Sequence, residues 1–319
     1  MAKLTPLLLK PKTKDYIWGG TKLASKWGKI ADTAKIAESW ELSLYPDMEC
    51  EIASGPYAGL TLDELNEAFP GIFGEFSDDF SQFPILIKLI DATENLSIQV
   101  HPSDEYAKLN ERGQLGKTEM WYIADAEPTA SIYLGFSENV AIDDFKKAIT
   151  QNTVTKLLNQ IKVKAGDCFF IPAGTVHAIL KGVTVYEVQE NSNLTYRVYD
   201  YNRTDSSGKP RELHIEKALQ VSNLSKTDTQ FTINSETEHD GYKSKLLAKC
   251  DYFEACEITS TAQFSTLNKD SFVCMTVLSG APTFGNTTLK KGDTVFIPAG
   301  INGVFTGEFT AIATCVPSK

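Results

Sequence analysis

The chain has 319 residues, 42% hydrophobic and 23% charged, a composition typical of a folded protein large enough for two hydrophobic cores. Its 41 acidic residues outnumber the 31 basic ones, and a formal net charge of -10 argues against nucleic-acid or anionic-membrane partners. The apolar stretch at residues 7–9 is too short for a signal peptide, and no run reaches the roughly 18 apolar residues of a membrane span. Six cysteines without a Cys-x-x-Cys pair favour reduced thiols and a cytosolic location.

Strand signals outnumber helix signals along the chain. Apolar residues at helical spacing predict helices, and β-branched or aromatic runs bounded by turn residues predict strands. In chain order the predictions are a helix at 62–69, a strand at 85–90, a helix at 104–112 capped by Ser103, a strand at 131–134, a helix at 142–161, strands at 168–171 and 183–188, a helix at 213–221, and strands at 272–278 and 294–297. Many short strands separated by Gly and Pro indicate β-sandwiches or jelly rolls, so the predicted fold is mainly β.

A twelve-residue segment occurs twice. Residues 163–174 (VKAGDCFFIPAG) and 289–300 (LKKGDTVFIPAG) share Lys, Gly-Asp, Phe-Ile-Pro-Ala and Gly at equal spacing, 126 positions apart. Each copy predicts a Gly-Asp turn, a buried strand and a Pro-x-Gly turn that redirects the chain. The same alignment sets His177 against Gly303. The repeat therefore predicts a duplicated unit whose second copy has lost a chemically active side chain.

Two domains follow from this repeat. The polar stretch 225–245 is expected to connect them, with the boundary near residue 225. Residues 1–225 are expected to carry the site together with helical insertions. Residues 226–319 are expected to form a second domain that lacks it.

Three polar residues alternate along residues 96–102 (LSIQVHP). Ser97, Gln99 and His101 would share one face of a strand. Such a face is unusual in a core, and either a binding site or a solvent-exposed surface would account for it. Neutral imidazole is the commonest protein ligand for metals, so His101 is a candidate ligand.

Two further residues are candidates for the same site. His177 follows the Pro172-x-Gly174 turn by three residues and is read either as a metal ligand or as a structural core histidine. Glu119 begins an aromatic strand run, where a buried carboxylate needs a partner. That partner is either a metal ion or Lys117, which would lie on the same face of the strand.

Several separated motifs together resemble the type I mannose-6-phosphate isomerases of the cupin superfamily. They are residues 18–20 (WGG), 38–41 (ESWE), 96–102 (LSIQVHP), 116–121 (GKTEMW), 172–178 (PAGTVHA) and 187–197 (EVQENSNLTYR). The resemblance covers nearly the whole chain, and the length is similar to the short bacterial branch. Two features depart from the usual cupin pattern: Gln99-x-His101 replaces His-x-His, and Lys181 stands where the second motif ends in Asn.

The resemblance implies two cupin jelly-roll barrels with a few peripheral helices, the second barrel lacking the metal site. It implies one zinc ion per chain, with the ligands Gln99, His101, Glu119 and His177. It further implies a catalytic Arg197, a Lys117 at the rim of the active site, a pocket acid Glu187, and Ser97 and Lys88 near the substrate phosphate. Two alternatives stay open: Arg197 could pair with Asp200, and Lys88 could reach solvent.

The implied reaction interconverts mannose 6-phosphate and fructose 6-phosphate through a cis-enediol, with zinc as the Lewis acid. A zinc-bound water, Glu187 or Lys117 could move the proton. Rival interpretations are a cupin of other chemistry, such as an iron oxygenase, against which Gln99 argues, and a non-catalytic sugar-phosphate-binding or regulatory protein. His214 is expected on the helix at 213–221 with a structural role, and His239 is expected to be exposed.

Overall fold

The computed structural model describes residues 3–204, 208–229 and 235–318. Within these ranges the chain forms 23 strands in four sheets and five short α-helices. The mainly β fold predicted from the sequence is confirmed. None of the helices in the described ranges is long and apolar enough to span a membrane.

The first thirteen strands are β1 (Leu7–Lys10), β2 (Lys12–Lys14), β3 (Glu38–Leu42), β4 (Glu51–Ile52), β5 (Ile85–Ala92), β6 (Ile98–Val100), β7 (Glu119–Ala126), β8 (Ser131–Phe136), β9 (Leu158–Lys162), β10 (Cys168–Ile171), β11 (His177–Ile179), β12 (Val183–Glu190) and β13 (Tyr196–Tyr199). The other ten are β14 (Ser235–His239), β15 (Tyr242–Lys249), β16 (Glu254–Ser260), β17 (Gln263–Thr266), β18 (Val273–Gly280), β19 (Thr283–Phe284), β20 (Thr287–Thr288), β21 (Thr294–Ile297), β22 (Gly303–Thr306) and β23 (Phe309–Cys315). The helices are α1 (Lys22–Trp27), α2 (Leu62–Ala68), α3 (Asp104–Asn110), α4 (Ile142–Thr150) and α5 (Ile215–Val221), with 3₁₀ turns at Glu75–Asp79 and Val154–Leu157.

Two sheets enclose the first core. A six-stranded sheet has the order β10-β7-β12-β5-β3-β2, and a five-stranded sheet has the order β13-β6-β11-β8-β9. Apolar side chains of both sheets form one cluster, including Trp121 and Val185 from the larger sheet and Ile132 and Leu134 from the smaller. Helices α4 and α5 cover the outer face of the five-stranded sheet. The result is a sandwich with a helical cover on one side.

The C-terminal half repeats this plan with an eight-stranded sheet, β14-β15-β16-β23-β18-β21-β1-β4, and a four-stranded sheet, β17-β22-β19-β20. Met275, Val295 and Phe305 belong to the core between these sheets. The eight-stranded sheet also packs its other face against the six-stranded one, where Tyr186 meets Phe296 in a shared cluster. Strands β5 and β12 are therefore buried along their full length, because both faces of their sheet are covered.

The N-terminal strand β1 belongs to the sheet of the C-terminal half. It runs antiparallel to β21, with Leu7 opposite Phe296, and β4 pairs with its other edge. A division of the chain at residue 225 stays a prediction, since the eight-stranded sheet takes strands from both ends of the chain.

All six predicted strands are present, with ends within two residues of those expected. Helices α2, α3 and α5 match three predicted helices, and Ser103 caps α3 by accepting the Tyr106 N–H. The predicted helix at 142–161 is wrong in its second half. Helix α4 ends at Thr150, Asn152 adopts a left-handed φ of 57° that stops it, and the chain continues as β9.

The expected connection at 225–245 is wrong for its second half. Strands β14 and β15 form an antiparallel hairpin there, with His239 opposite Tyr242, and they lie at the edge of the eight-stranded sheet. Residues 230–234 of the expected connection lie outside the described residues. His239 is exposed, as predicted.

Candidate metal centre and active-site cleft

The site lies between the five-stranded and six-stranded sheets. On the smaller sheet, Gln99 stands between His177 and Arg197 on the neighbouring strands β11 and β13. On the larger sheet, Lys88 is opposite Glu187, and Glu119 is opposite Gln189. Met120 and Tyr122 belong to the core shared with the eight-stranded sheet, and strand alternation turns Glu119 to the opposite face.

His101, Glu119 and His177 form a buried cluster. Their ligand atoms all lie within 4.8 Å of one another. His177 Nε2 is 3.2 Å from Glu119 Oε1, and His101 Nε2 is 3.6 Å from Glu119 Oε2. Oxygen Oε1 of Glu119 accepts no hydrogen bond from the described residues, which leaves it available to a cation.

Backbone carbonyls fix the orientation of both imidazoles. His101 Nδ1 lies 2.7 Å from the Leu194 carbonyl oxygen, and His177 Nδ1 lies 2.8 Å from that of Thr175. Each Nδ1–H donates to its carbonyl, so each Nε2 presents a lone pair toward Glu119. Burial lowers the pKa of His101 well below its ordinary value and that of His177 to about 4. Both rings are therefore neutral at physiological pH, the form that binds a metal.

Gln99 supplies the fourth group. Its side-chain amide nitrogen lies 3.4 Å from His177 Nε2. The oxygen and nitrogen of an amide exchange places when the group turns over, so the oxygen can occupy this position and act as a ligand. The donor set of two imidazoles, one carboxylate and one amide fits a divalent cation.

In the second copy of the repeat, Gly303 takes the position of His177, and apolar side chains occupy the space around it. A Cβ atom on Gly303 would lie 3.0 Å from Ile297 Cδ1 and 3.1 Å from Phe305 Cε2. No second cluster of three metal-binding side chains is found in the part of the chain that the structure describes. The duplication thus leaves one candidate centre among these residues.

Lys117 touches the metal cluster directly. Its Nζ lies 2.6 Å from Glu119 Oε2 and 3.4 Å from His101 Nε2, so the ion pair considered from the sequence is present. Burial by itself would lower the pKa of Lys117, but the Glu119 and Glu187 carboxylates outweigh it and hold the pKa above its ordinary value. Lys117 is consequently a cation at this end of the site.

A cleft of about 280 Å³ lies beside the cluster, because Gln99 and Lys117 line it. Its walls also include the other predicted residues Lys88, Ser97, Glu187 and Arg197. Lys88 is 3% exposed, so the alternative that it reaches solvent is wrong. Its Nζ lies 3.6 Å from Glu187 and 3.8 Å from Glu38. Because two carboxylates already flank this ammonium, it has little free charge to offer a phosphate.

Glu187 is an ionised acid in the cleft wall. Burial by itself would raise its pKa, but Lys117 and Lys88 outweigh burial and lower it. Oxygen Oε2 accepts the indole N–H of Trp121 at 2.9 Å, and Oε1 has no hydrogen-bond donor among the described residues. The arrangement leaves one carboxylate oxygen able to accept a proton.

Arg197 does not form the ion pair with Asp200 that the sequence left open. Asp200 instead pairs with Arg203 and Arg211, each at 2.5 Å. Arg197 donates to the Glu212 carbonyl, and its Nε has no partner among the described residues. Its guanidinium is half-buried, and burial together with the neighbouring Arg211 lowers its pKa.

Arg211 is a cleft residue that the sequence reasoning missed. It follows Arg197 by fourteen positions and lies just before α5, so only the fold brings the two together. In the cleft wall, Glu38 and Glu187 come from the six-stranded sheet, whereas Arg197 comes from the five-stranded sheet and Arg211 from the segment before α5. The cleft therefore contains guanidinium groups that can bind an anionic group of a substrate, although the protein as a whole is acidic.

His214 precedes α5 rather than lying within it. As the residue before the helix, it accepts the backbone N–H of Arg197 on Nδ1 at 3.1 Å. This bond ties the start of α5 to β13. The structural role expected of His214 agrees with this contact.

Comparison of the sequence with known proteins identifies its relatives. Residues 7–134 match the family described as phosphomannose isomerase type I, catalytic domain. The chain is 38% identical over 315 residues to a probable mannose-6-phosphate isomerase, GmuF, of Bacillus subtilis, covering 97% of both chains. It is 37% identical over 319 residues to mannose-6-phosphate isomerase ManA of the same organism, covering 98% of both.

A solved structure is similar over the same extent. The crystal structure of mannose 6-phosphate isomerase from Bacillus subtilis superposes with a TM-score of 0.89 and 36% sequence identity, covering 98% of this chain and 99% of that one. Sequence identity above one third along nearly the full length of both chains establishes the family to which the chain belongs. The chain belongs to the type I mannose-6-phosphate isomerases.

Proposed function

We propose that the protein interconverts mannose 6-phosphate and fructose 6-phosphate through a cis-enediol, using one zinc ion per chain. The observation that carries this proposal is the buried cluster of His101, Glu119 and His177, next to a cleft whose walls include Gln99, Lys117 and two arginines. The reacting carbons of an open-chain sugar phosphate and its phosphate lie at opposite ends of the molecule. The metal cluster can bind the oxygens at the reacting carbons, and the arginines in the cleft wall can bind the phosphate.

Zinc would be held by these three side chains and the amide oxygen of Gln99. When bound, it supplies a redox-inert Lewis acid that stabilises negative charge developing on a substrate oxygen. This choice of metal rests on the donor types, because sites of nitrogen and oxygen ligands discriminate among divalent ions mainly by geometry and availability.

The chain's own side chains divide the remaining work. Arg197 and Arg211 bind the phosphate as planar hydrogen-bond donors, with Ser97 in the adjoining wall. Oxygen Oε1 of Glu187 removes the proton from C2 and returns it to C1, while the hydroxyl proton passes from O2 to O1, so that the carbonyl group moves from C1 to C2. The neighbouring lysines keep this carboxylate ionised, and the lack of a hydrogen-bond donor on Oε1 among the described residues leaves that oxygen open to a proton. The Lys117 ammonium stands at the reacting end, where it stabilises an anionic intermediate.

We also propose a cytosolic location and a small sugar phosphate as the partner. All six cysteines are free thiols, which is the usual state in a reducing compartment. The net charge of -10 makes nucleic acid an unsuitable partner.

The testing experiment assays purified protein for conversion of mannose 6-phosphate to fructose 6-phosphate before and after chelation, with metal content measured on the same samples. We expect activity to disappear on chelation and to return on addition of one equivalent of zinc per chain. Protein that contains stoichiometric zinc and still fails to turn over this substrate contradicts the substrate assignment. Full activity in protein shown to be free of metal contradicts the role of zinc.

A further inference from the structure

The segment 113–118, which carries Lys117, is not held by packing on all sides. It joins α3 to β7, and Gln114 and Leu115 line a second cleft of about 490 Å³. A segment beside so large an opening depends on specific hydrogen bonds for its position.

Three backbone donors of this segment are anchored. The Gly116 N–H donates to Asp104 Oδ1 at 2.6 Å, the Lys117 N–H to the Pro102 carbonyl at 3.0 Å, and the Thr118 N–H to Glu190 Oε1 at 2.5 Å. A Cβ atom on Gly116 would lie 2.5 Å from the Asp104 nitrogen, so the close approach at this anchor requires glycine.

The anchor at Asp104 is shared with the C-terminal half of the chain. While Oδ1 accepts the Gly116 N–H, Oδ2 accepts the Tyr252 hydroxyl at 2.9 Å. Tyr252 lies in the turn between β15 and β16 of the eight-stranded sheet, with its ring against Phe80. One carboxylate therefore links that sheet to the residue that precedes Lys117.

We propose that Tyr252 is a positioning residue, through which the C-terminal half holds Lys117 in place for the reaction by way of Asp104 and Gly116. The proposal rests on the proposed function, because it takes Lys117 to act at the reacting end of the substrate. It assigns the half without a metal site an indirect part in catalysis, through the position of Lys117.

The geometry around Lys117 leaves little tolerance. Its Nζ stands 2.6 Å from Glu119 Oε2 and 3.4 Å from His101 Nε2, at the end of a side chain that begins beside Gly116. Loss of the Tyr252 hydroxyl removes one hydrogen-bond donor from the Asp104 carboxylate, and we expect its hold on the segment to weaken. Displacement of a catalytic cation lowers turnover more than it lowers binding of the phosphate by Arg197 and Arg211.

The first test compares Tyr252→Phe with Tyr242→Phe, a matched loss of one hydroxyl in the same half of the chain. For Tyr252→Phe we expect kcat to fall by about tenfold and KM to change by less than about twofold. For Tyr242→Phe we expect both constants to stay as in the wild type. A purely structural role for Tyr252 predicts a lower melting temperature with kcat per folded molecule unchanged, and that result overturns the proposal.

The second test measures the mobility of the segment 113–118 and does not depend on enzyme activity. Hydrogen exchange of a peptide covering residues 113–118 is expected to quicken in Tyr252→Phe and to stay unchanged in Tyr242→Phe. Asp104→Ala removes both acceptor oxygens, so Tyr252→Phe in that background is expected to have no additional effect on exchange or on kcat. Additive effects, or unchanged exchange, overturn the proposal. The exchange measurement does not depend on the substrate. It therefore tests the positioning role of Tyr252 even if mannose 6-phosphate proves not to be the substrate, and the two hypotheses can fail separately.

Discussion

Gln99 and His177 stand directly opposite each other on β6 and β11, with the Gln99 amide 3.4 Å from His177 Nε2. A neutral amide at this position leaves Glu119 as the one carboxylate of the cluster. A divalent cation held there keeps a net positive charge toward the substrate, which is what stabilisation of an enediolate requires.

The first prediction concerns the absence of charge on the Gln99 side chain. We expect Gln99→Glu to retain zinc at the wild-type stoichiometry and to lower kcat by about 10- to 100-fold, because a second carboxylate weakens the Lewis acidity of the metal. Metal analysis alongside steady-state kinetics checks both parts. A variant with unchanged kcat would show that the charge of this ligand is unimportant.

The second prediction concerns the proton acceptor. Glu187→Gln preserves an oxygen for the Trp121 indole N–H but removes the base, so we expect kcat to fall by about 100- to 10,000-fold with metal content unchanged. Glu38→Gln is the matched control, since Glu38 also accepts an indole N–H, from Trp40, and also lies beside Lys88. The control is expected to lose less than about tenfold. Equal losses in the two variants would assign the proton transfer elsewhere.

The third prediction concerns the phosphate. Arg211→Met removes a charged donor from the cleft while Asp200 keeps its pairing with Arg203. We expect KM for mannose 6-phosphate to rise by about 10- to 100-fold and inhibition by inorganic phosphate to weaken in parallel. Arg203→Met, which alters the same carboxylate outside the cleft wall, is the control and should leave KM close to the wild-type value. Unchanged phosphate inhibition in Arg211→Met would place the phosphate elsewhere.

A fourth prediction concerns the buried ion pair of Lys29 and Glu41, whose side chains are 5% and 0% exposed and whose charged atoms are 2.6 Å apart. Lys29→Met leaves a carboxylate buried without its cation, and we expect the free energy of unfolding to fall by about 3 to 5 kcal/mol. Lys26→Met breaks an exposed pair with Asp125 and should cost less than about 1 kcal/mol. Urea denaturation of both variants measures the difference, and similar losses would contradict the argument from burial.

The fifth prediction concerns pH. Burial, reinforced by the neighbouring Asp104, raises the pKa of Glu190 from 4.5 to about 9. Between these values the native state keeps a proton that the unfolded chain has released, so this group's contribution to stability is present at low pH and is lost as the pH rises toward 9.

Glu190→Gln stays neutral and keeps an oxygen for the Thr118 N–H. We therefore expect a flatter dependence of the unfolding free energy on pH, and greater stability than the wild type at about pH 8 to 9. Urea midpoints measured across this range check the prediction. Parallel profiles for the two proteins would show that Glu190 ionises normally.

Sequence reasoning succeeded where the pattern was local. The repeat located β10 and β21, and strand alternation placed Ser97 and Gln99 in one wall of the cleft. The fourfold ligand set followed from the family resemblance, and the structure brings these four residues together.

The sequence could not predict contacts between distant residues, or the type of element where the spacing of apolar residues fits both a helix and a strand. Residues 158–162 carry apolar residues at positions compatible with either a helix or a strand, and pairing with β8 decides for the strand. There the Asn159 amide donates to the Leu134 and Phe136 carbonyls. Nothing near Arg211 or Tyr252 in the sequence indicates which residue each one meets, because their partners arrive from other strands and helices.

The pairing of β1 with β21 also has a consequence for how the protein is made. During synthesis β1 emerges long before β21, because most of the described residues lie between the two strands. Until β21 follows, the backbone groups of β1 form an open edge exposed to wrong partners, and closing so distant a contact is slow. This part of the sheet therefore forms only after β21 has left the ribosome, and a cut anywhere between the two strands separates partners of one sheet.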